Sequence, residues 1–142
     1  MYLIIGGWIV TIGAVGLSYL GAARRDARKT RTSEFQLRVD QLTSVIDQLV
    51  TKALEYYNTG DGNHESRRVM IHLLIKRMDG HKSFLEKRGS IHLNYEVGNL
   101  FEAITDGDFE SRDVQPSVDR CKRIVAVSQA LLDRLGEIRS NY

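Results

Sequence analysis

"FQLRVDQLTSVIDQLVTKALEYY", residues 35–57, is the stretch that decides the fold. Its apolar residues recur at alternating spacings of four and three, which places them on one face of an α-helix. The residues of this seam are Phe35, Val39, Leu42, Ile46, Leu49, Ala53 and Tyr56. Four further apolar residues widen the face: Val45, Val50, Leu54 and Tyr57. A seam of about three heptads with such a wide face predicts a helix that packs in a bundle.

The segment before this helix, residues 1–23, contains no charged side chain. As a helix it would span roughly 34 Å, enough to cross a hydrocarbon core of about 30 Å. A core helix of a small soluble protein normally carries a polar stripe, and this segment has none. A cleaved signal peptide is the alternative, since Gly21 and Ala23 could form its cleavage site, but no basic residue precedes the run. We therefore predict a permanent transmembrane anchor.

A basic juxtamembrane collar, residues 24–34, follows the anchor. Its basic residues are Arg24, Arg25, Arg28, Lys29 and Arg31. The positive-inside rule then predicts a single pass through the inner (cytoplasmic) membrane, with the N-terminus outside and residues 35–142 in the cytoplasm. The lone cysteine, Cys121, fits that reducing compartment, since it cannot form an internal disulfide.

The positive charge of the chain is concentrated in this collar. The chain has 20 basic and 18 acidic residues. Without residues 24–31, which contain five basic residues and Asp26, 15 basic and 17 acidic residues remain, a net charge of −2. We expect the collar to bind the headgroups of anionic membrane lipids. DNA is not an expected partner, because the rest of the chain lacks the net positive charge of a nucleic-acid-coating protein.

Small residues recur along one face of the predicted anchor, at spacings of three and four: Gly7, Thr11, Ala14, Ser18 and Ala22. Such faces let membrane helices approach closely, so these residues predict oligomerisation within the membrane. The alternative is that small residues are simply common in membrane helices. A single helix cannot enclose a channel, and a pore would therefore need a homo-oligomer.

The sequence after residue 57 predicts three more helices. Ser33 is a candidate cap of the first helix; the alternative is that this helix continues from the anchor as a stalk, because the collar contains no helix breaker. "NTGDGN", residues 58–63, is expected to end it. The second is predicted from about Glu65 to Asp79, followed by a basic loop between Gly80 and Gly89. The inward residues expected on this second helix are Val69, Met70, Leu73, Leu74 and Met78.

The third helix is predicted over residues 94–105, although residues 91–97 also alternate in the manner of a strand. The last is expected to start near Pro116, which suits a first helical turn. Its expected buried residues are Val118, Cys121, Val125, Ser128, Leu132 and Leu135. The predicted fold class is mainly α, with one N-terminal transmembrane helix and a cytoplasmic bundle of about four helices.

Most enzyme signatures are missing: the sequence has no CxxC, HExxH or GxSxG motif and no phosphate-binding glycine loop. The four histidines lack the spacing of metal ligands, so neither a metal nor a cofactor is expected. "RRVMIH" gives Arg67-x4-His72, which resembles the R-x4-6-H motif of the HEPN ribonucleases, a family of dimeric helical bundles. That resemblance implies His72 as acid or base and Arg67 on the scissile phosphate. The alternative is that His72, inside "VMIHLLI", is a core histidine.

A second candidate site lies in "DGHKSFLEKRGSIHLNY", residues 79–95. Its candidate ligand-binding residues are His81, Lys82, Lys87, Arg88, Ser90, His92, Asn94 and Tyr95. Lysine and arginine hold phosphates, aromatic rings stack on bases, and serine and asparagine can read base edges. The stretch therefore suits a nucleotide ligand; a solvated, charged loop is the alternative.

In its layout of anchor, collar and helical domain, the chain resembles the CRISPR-associated membrane effectors of antiviral defence. The closest layout is the type III family, with one N-terminal membrane segment and a cytoplasmic domain that binds cyclic tetra-adenylate. The resemblance implies a non-enzymatic homo-oligomer, a tetramer, that binds a cyclic oligoadenylate between subunits and perturbs the membrane or opens a pore. The membrane effector of type VI systems, helical and with an R-x-H motif, is similar. An anchored HEPN-like ribonuclease and a structural subunit of a membrane complex remain alternatives.

Overall fold

The computed structural model describes residues 22–59, 64–112 and 114–142 in full and residues 2–21 by their helical backbone alone. Four helices follow one another: α1 Tyr2–Asn58, α2 His64–Gly89, α3 Asn94–Thr105 and α4 Val118–Ser140. The prediction of an all-α, four-helix bundle is confirmed. The first helix ends at Asn58, where the polar sequence "NTGDGN" begins, as predicted.

The chain divides into two units, Met1–Glu34 and Phe35–Tyr142. In the first unit the collar side chains of residues 24–31 are exposed, and the Thr30 hydroxyl donates to the Asp26 carbonyl at 2.9 Å. The predicted anchor and most of its small-residue face, Gly7 to Ser18, lie outside the residues whose side chains are described. In the remainder of the chain, no helix is apolar over a length that would cross a membrane.

The second unit is built on the apolar face of α1. All seven residues of the predicted seam, from Phe35 to Tyr56, are buried, and so are Val45 and Tyr57. Burial of each large apolar side chain contributes about 1.5–3 kcal/mol to folding, so this face supplies much of the core. The expected cap, Ser33, is wrong, because it lies inside α1. The alternative of a helix that continues through the collar is the one observed, since residues 22–32 include no proline or glycine that would end a helix.

Helix α2 runs antiparallel to the second half of α1. Arg38, early in that half, lies over the Phe84 ring late in α2, while Lys52 borders a cavity with Met70 in the first half of α2. The helix continues through Gly80 to Gly89, so the predicted loop between these glycines is wrong. A glycine in a helix costs only about 1 kcal/mol relative to alanine, and burial of Leu85 on the core face outweighs that cost.

The core face of α2 also differs from the prediction. Leu74 and Met78 are buried as expected, but the other three predicted residues, Val69, Met70 and Leu73, are exposed. The buried set is Ile71, Leu74, Ile75, Met78 and Leu85. The sequence "VMIHLLI" is apolar around most of its circumference, so its periodicity alone does not identify the inward face.

Helix α3 has the predicted bounds, Asn94–Thr105, and buries Val97, Leu100 and Ile104 while Phe101 stays exposed. Helix α4 begins at Val118, after the cap residue Ser117, whose hydroxyl accepts the Arg120 N–H at 3.3 Å. Pro116 therefore precedes the cap and is not in the first turn. The buried residues of α4 are Ile124, Ser128, Leu131, Leu135 and Ile138.

The predicted inward face of α4 is thus rotated by about one residue. Ser128 and Leu135 are buried as expected, Cys121 and Leu132 are half-buried, and Val118 and Val125 are exposed. The seam at 124, 131 and 138 was missed because valines at 118 and 125 offered an equally regular alternative spacing. Packing against the other helices determines which of these two faces of α4 is buried.

Two adjacent tyrosines at the end of α1 fasten the connection between α3 and α4. The Tyr56 hydroxyl donates to the Phe109 carbonyl at 2.5 Å, and the Tyr57 hydroxyl donates to the Ile104 carbonyl. The Arg120 guanidinium lies 4.6 Å from the centre of the Tyr57 ring and donates to Asp108 at 2.5 Å. Burial raises the pKa of Tyr57 to about 12. The buried hydrogen bonds of Tyr56 and Tyr57 therefore hold the connection between α3 and α4 against the core.

Arg120 also lowers the pKa of Asp108, its ion-pair partner in the connection between α3 and α4. Burial alone would raise the pKa of Asp108, but hydrogen bonds from Arg120 and from the Gln115 N–H hold that pKa below its ordinary value. A depressed carboxyl pKa contributes stability that is present above the unfolded-state pKa and is lost as the pH falls through the folded-state pKa.

Two glycines of α2 provide a matched test of its continuation to residue 89. A methyl group at Gly80 would meet no atom within 4 Å, whereas one at Gly89 would lie 2.7 Å from the buried Phe35 ring. We expect Gly80→Ala to stabilise the protein by about 0.5–1 kcal/mol, through helix propensity, and Gly89→Ala to destabilise it by about 1–3 kcal/mol. Thermal unfolding of the full chain in detergent measures both changes. Destabilisation by Gly80→Ala would contradict a helix through that position.

Candidate anion-binding site

The candidate residues of the stretch 79–95 do not form one loop. His81 and Arg88 lie on the side of α2 near Arg38 of α1, since Arg88 shares the Phe84 ring with Arg38. Lys82 and Asn94 border a different space, a cavity of about 310 Å³ between α2 and α3. The structure therefore separates the predicted site into two regions.

The first region is a cluster of cationic and aromatic side chains. Arg77, His81, Phe84 and Arg88 recur at spacings of four, three and four along α2, so they share one face of the helix. The guanidinium of Arg38 lies 4.7 Å from the centre of the Phe84 ring, and that of Arg88 lies 5.4 Å from it. These five residues are called the basic cluster below. Phe84 holds both guanidinium groups near one another by cation–π attraction.

His81 stands among the arginines of the basic cluster. Its ring is half-buried, and its Nδ1 atom is buried without a hydrogen-bond partner in the described part of the chain. Burial and then the charges of Arg38 and Arg77 hold the pKa of His81 below its ordinary value. The ring is consequently neutral at neutral pH, and the fixed positive charge of the cluster comes from its arginines.

The arginines of the basic cluster differ from others of the domain in their partners. Arg120 pairs with Asp108, Arg123 with Glu102, and Arg139 with Asp40. Within the described residues, no carboxylate lies in ion-pair distance of Arg38, Arg77 or Arg88. Guanidinium groups bind phosphate oxygens through paired hydrogen bonds. The basic cluster thus has the charge and the donors of an anion-binding site.

The other region is less favourable for an anion. Lys82 already pairs with Glu86 at 3.5 Å, and Glu86 also accepts the Leu93 N–H at 3.1 Å, which holds the residue before α3. Asn94 is exposed at the first position of α3. The remaining candidates, Lys87, Ser90, His92 and Tyr95, are exposed and have no common partner among the described contacts.

Arg67 and His72 have different partners among the described contacts. Arg67 donates to the Thr59 hydroxyl at 2.6 Å, whereas His72 Nε2 lies 3.0 Å from a carboxylate oxygen of Glu110. Arg68, one turn before His72, donates to the Glu110 carbonyl at 3.1 Å. The His72 side chain is 52% exposed, so the alternative of a core histidine is wrong. Leu74, two residues further and about 200° around the helix from His72, is buried instead.

Sequence reasoning missed Arg38 and Arg77 as members of the basic cluster. Arg77 was detectable, because it lies one helical turn before His81 once residues 80–89 are read as helix. Arg38 was not, because its approach to Phe84 depends on how α1 and α2 pack. No group of three or more histidine, cysteine, aspartate or glutamate residues in the described ranges is placed to hold a metal ion.

Comparison with protein-family models, with curated proteins and with solved structures finds no match. The resemblance to the CRISPR-associated membrane effectors stays a prediction, based on the order and character of the segments.

Proposed function

We propose that the chain is a membrane-anchored effector that binds a cyclic oligonucleotide through the basic cluster of its cytoplasmic domain. The observation that carries the proposal is the group of three arginines, Arg38, Arg77 and Arg88, without an acidic partner among the described residues. Arginines near one another without carboxylates repel, and a phosphate group relieves that repulsion while accepting their N–H groups.

The chemistry of the cluster suits a nucleotide more than a simple anion. Phosphate oxygens would bind the guanidinium groups, and a base would stack beside Phe84 and His81, which supply aromatic surface at the same place. A cyclic tetra-adenylate, the ligand suggested by the layout, carries repeated phosphates and purines. Each copy of a homo-oligomer would then contribute one basic cluster to one repeat of the ligand.

The proposed response is a rearrangement of helices at the membrane. The uncharged segment 1–23 is the proposed anchor and the collar its cytoplasmic, headgroup-binding end. Because α1 spans Tyr2–Asn58, it includes both the anchor and Arg38 of the basic cluster. A ligand that binds one arrangement of subunits more tightly shifts the population toward it and so perturbs the bilayer or opens a pore, without catalysis.

Ligand titration tests this proposal. The full chain in detergent is titrated with cyclic oligoadenylates of several ring sizes, and we expect cyclic tetra-adenylate to bind. Replacement of one guanidinium, in Arg38→Ala or Arg88→Ala, should weaken binding by about tenfold or more, because each removes a charge-assisted contact. Binding should also raise the pKa of His81, measured by NMR, since a nearby phosphate favours the protonated ring.

A matched control for the titration is Lys122→Ala, which removes an exposed positive charge from α4, outside the basic cluster. Its affinity should stay within about twofold of the unchanged chain, because exposed charges at a distance are screened. Lack of binding by every ring size would contradict the ligand, and an equal loss in Lys122→Ala would contradict the site.

A second candidate function is an anchored HEPN-like ribonuclease. It is favoured by one observation: His72 is exposed and hydrogen-bonded to Glu110, an arrangement in which a carboxylate orients a general base. Arg68 lies beside this His72–Glu110 pair, with its Nε 3.7 Å from a carboxylate oxygen of Glu110. The RNA phosphate would therefore be held by Arg68 as well as by the motif residue Arg67.

Replacement of His72 separates the two functions. In the proposed effector, His72→Ala leaves ligand binding unchanged, and the full chain cleaves no RNA before or after the change. In the ribonuclease, the unchanged chain cleaves RNA and His72→Ala lowers the rate by about 100-fold or more, as loss of a general base does. Lys122→Ala serves again as the control, and circular dichroism shows whether the helical content is retained.

A further inference from the structure

An exposed ridge on α2 combines apolar and charged residues in a symmetric order. Glu65, Val69, Leu73 and Arg77 follow one another at intervals of four, so they form one row along the helix surface. Val69 and Leu73 are 53% and 55% exposed, although both are large and apolar. Neighbouring exposed apolar side chains of this kind are typical of an interaction surface. This row is called the α2 ridge below.

The two ends of the α2 ridge have opposite charges. The Glu65 side chain is 86% exposed and lies 3.7 Å from Arg68, while Arg77 has no carboxylate in ion-pair distance within the described residues. In the sequence, Glu65 and Arg77 each lie six residues from position 71, and Val69 and Leu73 each lie two residues from it. A copy of the ridge turned end for end therefore places an acid against a base and one apolar residue against the other.

We infer that the α2 ridge is a self-association surface whose partner is the α2 ridge of a second copy of this chain. In the antiparallel pair, Glu65 of each copy faces Arg77 of the other, and Val69 faces Leu73. The interface is isologous, as in two-fold symmetric dimers, because the same residues contribute from both sides. A parallel pairing would set like charges opposite each other at both ends, which disfavours it.

The inference goes beyond the proposed function, since it would hold for a chain that binds no nucleotide. It adds a contact between cytoplasmic domains to the oligomerisation predicted for the anchor. Arg77 also belongs to the basic cluster, one turn from His81, so the α2 ridge ends where the basic cluster begins. Arg88, at the far end of the cluster, lies 11 residues beyond the ridge.

Cysteine cross-linking of the full chain in membranes tests the pairing. On a Cys121→Ser background, which removes the only cysteine, Val69→Cys and Leu73→Cys chains are made with different tags and co-expressed. We expect mild oxidation to link the mixed pair in greater yield than either chain with itself, because Val69 faces Leu73 across the two-fold axis. Lys122→Cys, at an exposed position of α4, provides the background yield.

Charge reversal then tests the ends of the ridge. Glu65→Arg or Arg77→Glu alone should lower the cross-linking yield by about tenfold, because two attractive pairs per dimer become repulsive. The two changes together should restore it. Arg88→Ala should leave the yield unchanged even though it weakens nucleotide binding, which separates this inference from the proposed function.

The inference is overturned if the mixed pair links no more than the Lys122→Cys control, or if each chain links with itself as well as with the other. Failure of the combined reversal to recover the yield would also overturn it. Because the substituted side chains are exposed, their replacement is expected to leave the folded domain intact, and circular dichroism checks this.

Discussion

The apolar face of α1 between Phe35 and Tyr57 is the surface on which the rest of the second unit packs. The seam residues of this face are buried from the first to the last turn, and the buried residues of α2, α3 and α4 join them in one core. Because one continuous helix supplies this face, the directions of its neighbours follow: Arg38 meets Phe84 in late α2, and Asp40 meets Arg139 in late α4. Both neighbours therefore run antiparallel to it.

Hydrogen bonds at the two ends of this face hold the neighbouring segments in position, which apolar packing alone does not specify. At one end, the hydroxyls of Tyr56 and Tyr57 hold the connection between α3 and α4. At the other, Phe35 stacks on Tyr142 with ring centres 4.1 Å apart, and the Tyr142 hydroxyl donates to the Gly89 carbonyl at 2.8 Å. The bonds of Tyr56 and Tyr57 are buried, and a polar group buried without its partner is costly, so these two bonds select one arrangement of the helices.

The positions of the two proposed surfaces follow from which side of α2 packs in the core. Burial of Ile71, Met78 and Leu85 turns the basic cluster toward the α1 side of α2 and leaves the α2 ridge exposed. An arginine cluster and apolar residues in solvent contribute little to folding in either case. The basic cluster and the α2 ridge lie on adjoining parts of one helix. This position supports the proposal of a ligand site next to a subunit contact.

The sequence was sufficient to predict the helices and the buried face of α1. It was insufficient to predict which faces of α2 and α4 point into the core. The seam of α1 was predicted because its spacing admits one inward face. The bounds of α3 were also predicted, although residues 91–97 fit the alternation of a strand as well. In α2 and α4, valines and leucines occupy several faces, and only packing distinguishes Ile71 from Val69, or Ile124 from Val125. His81 and Arg88 were recognised as candidates because they lie close together in the sequence. Arg38 was not, because only the packing of α1 against α2 brings it to them.

The most direct test of the account is where the intact chain resides, because the proposed effector acts only from the membrane. Cells expressing the full chain with a C-terminal tag are fractionated, the membranes are washed at alkaline pH, and protease is added to spheroplasts. We predict that the chain stays in the washed membrane pellet, is released by detergent, and keeps its tag protected inside the cell. Recovery of the chain in the soluble fraction, or export of a shortened form, would contradict the account.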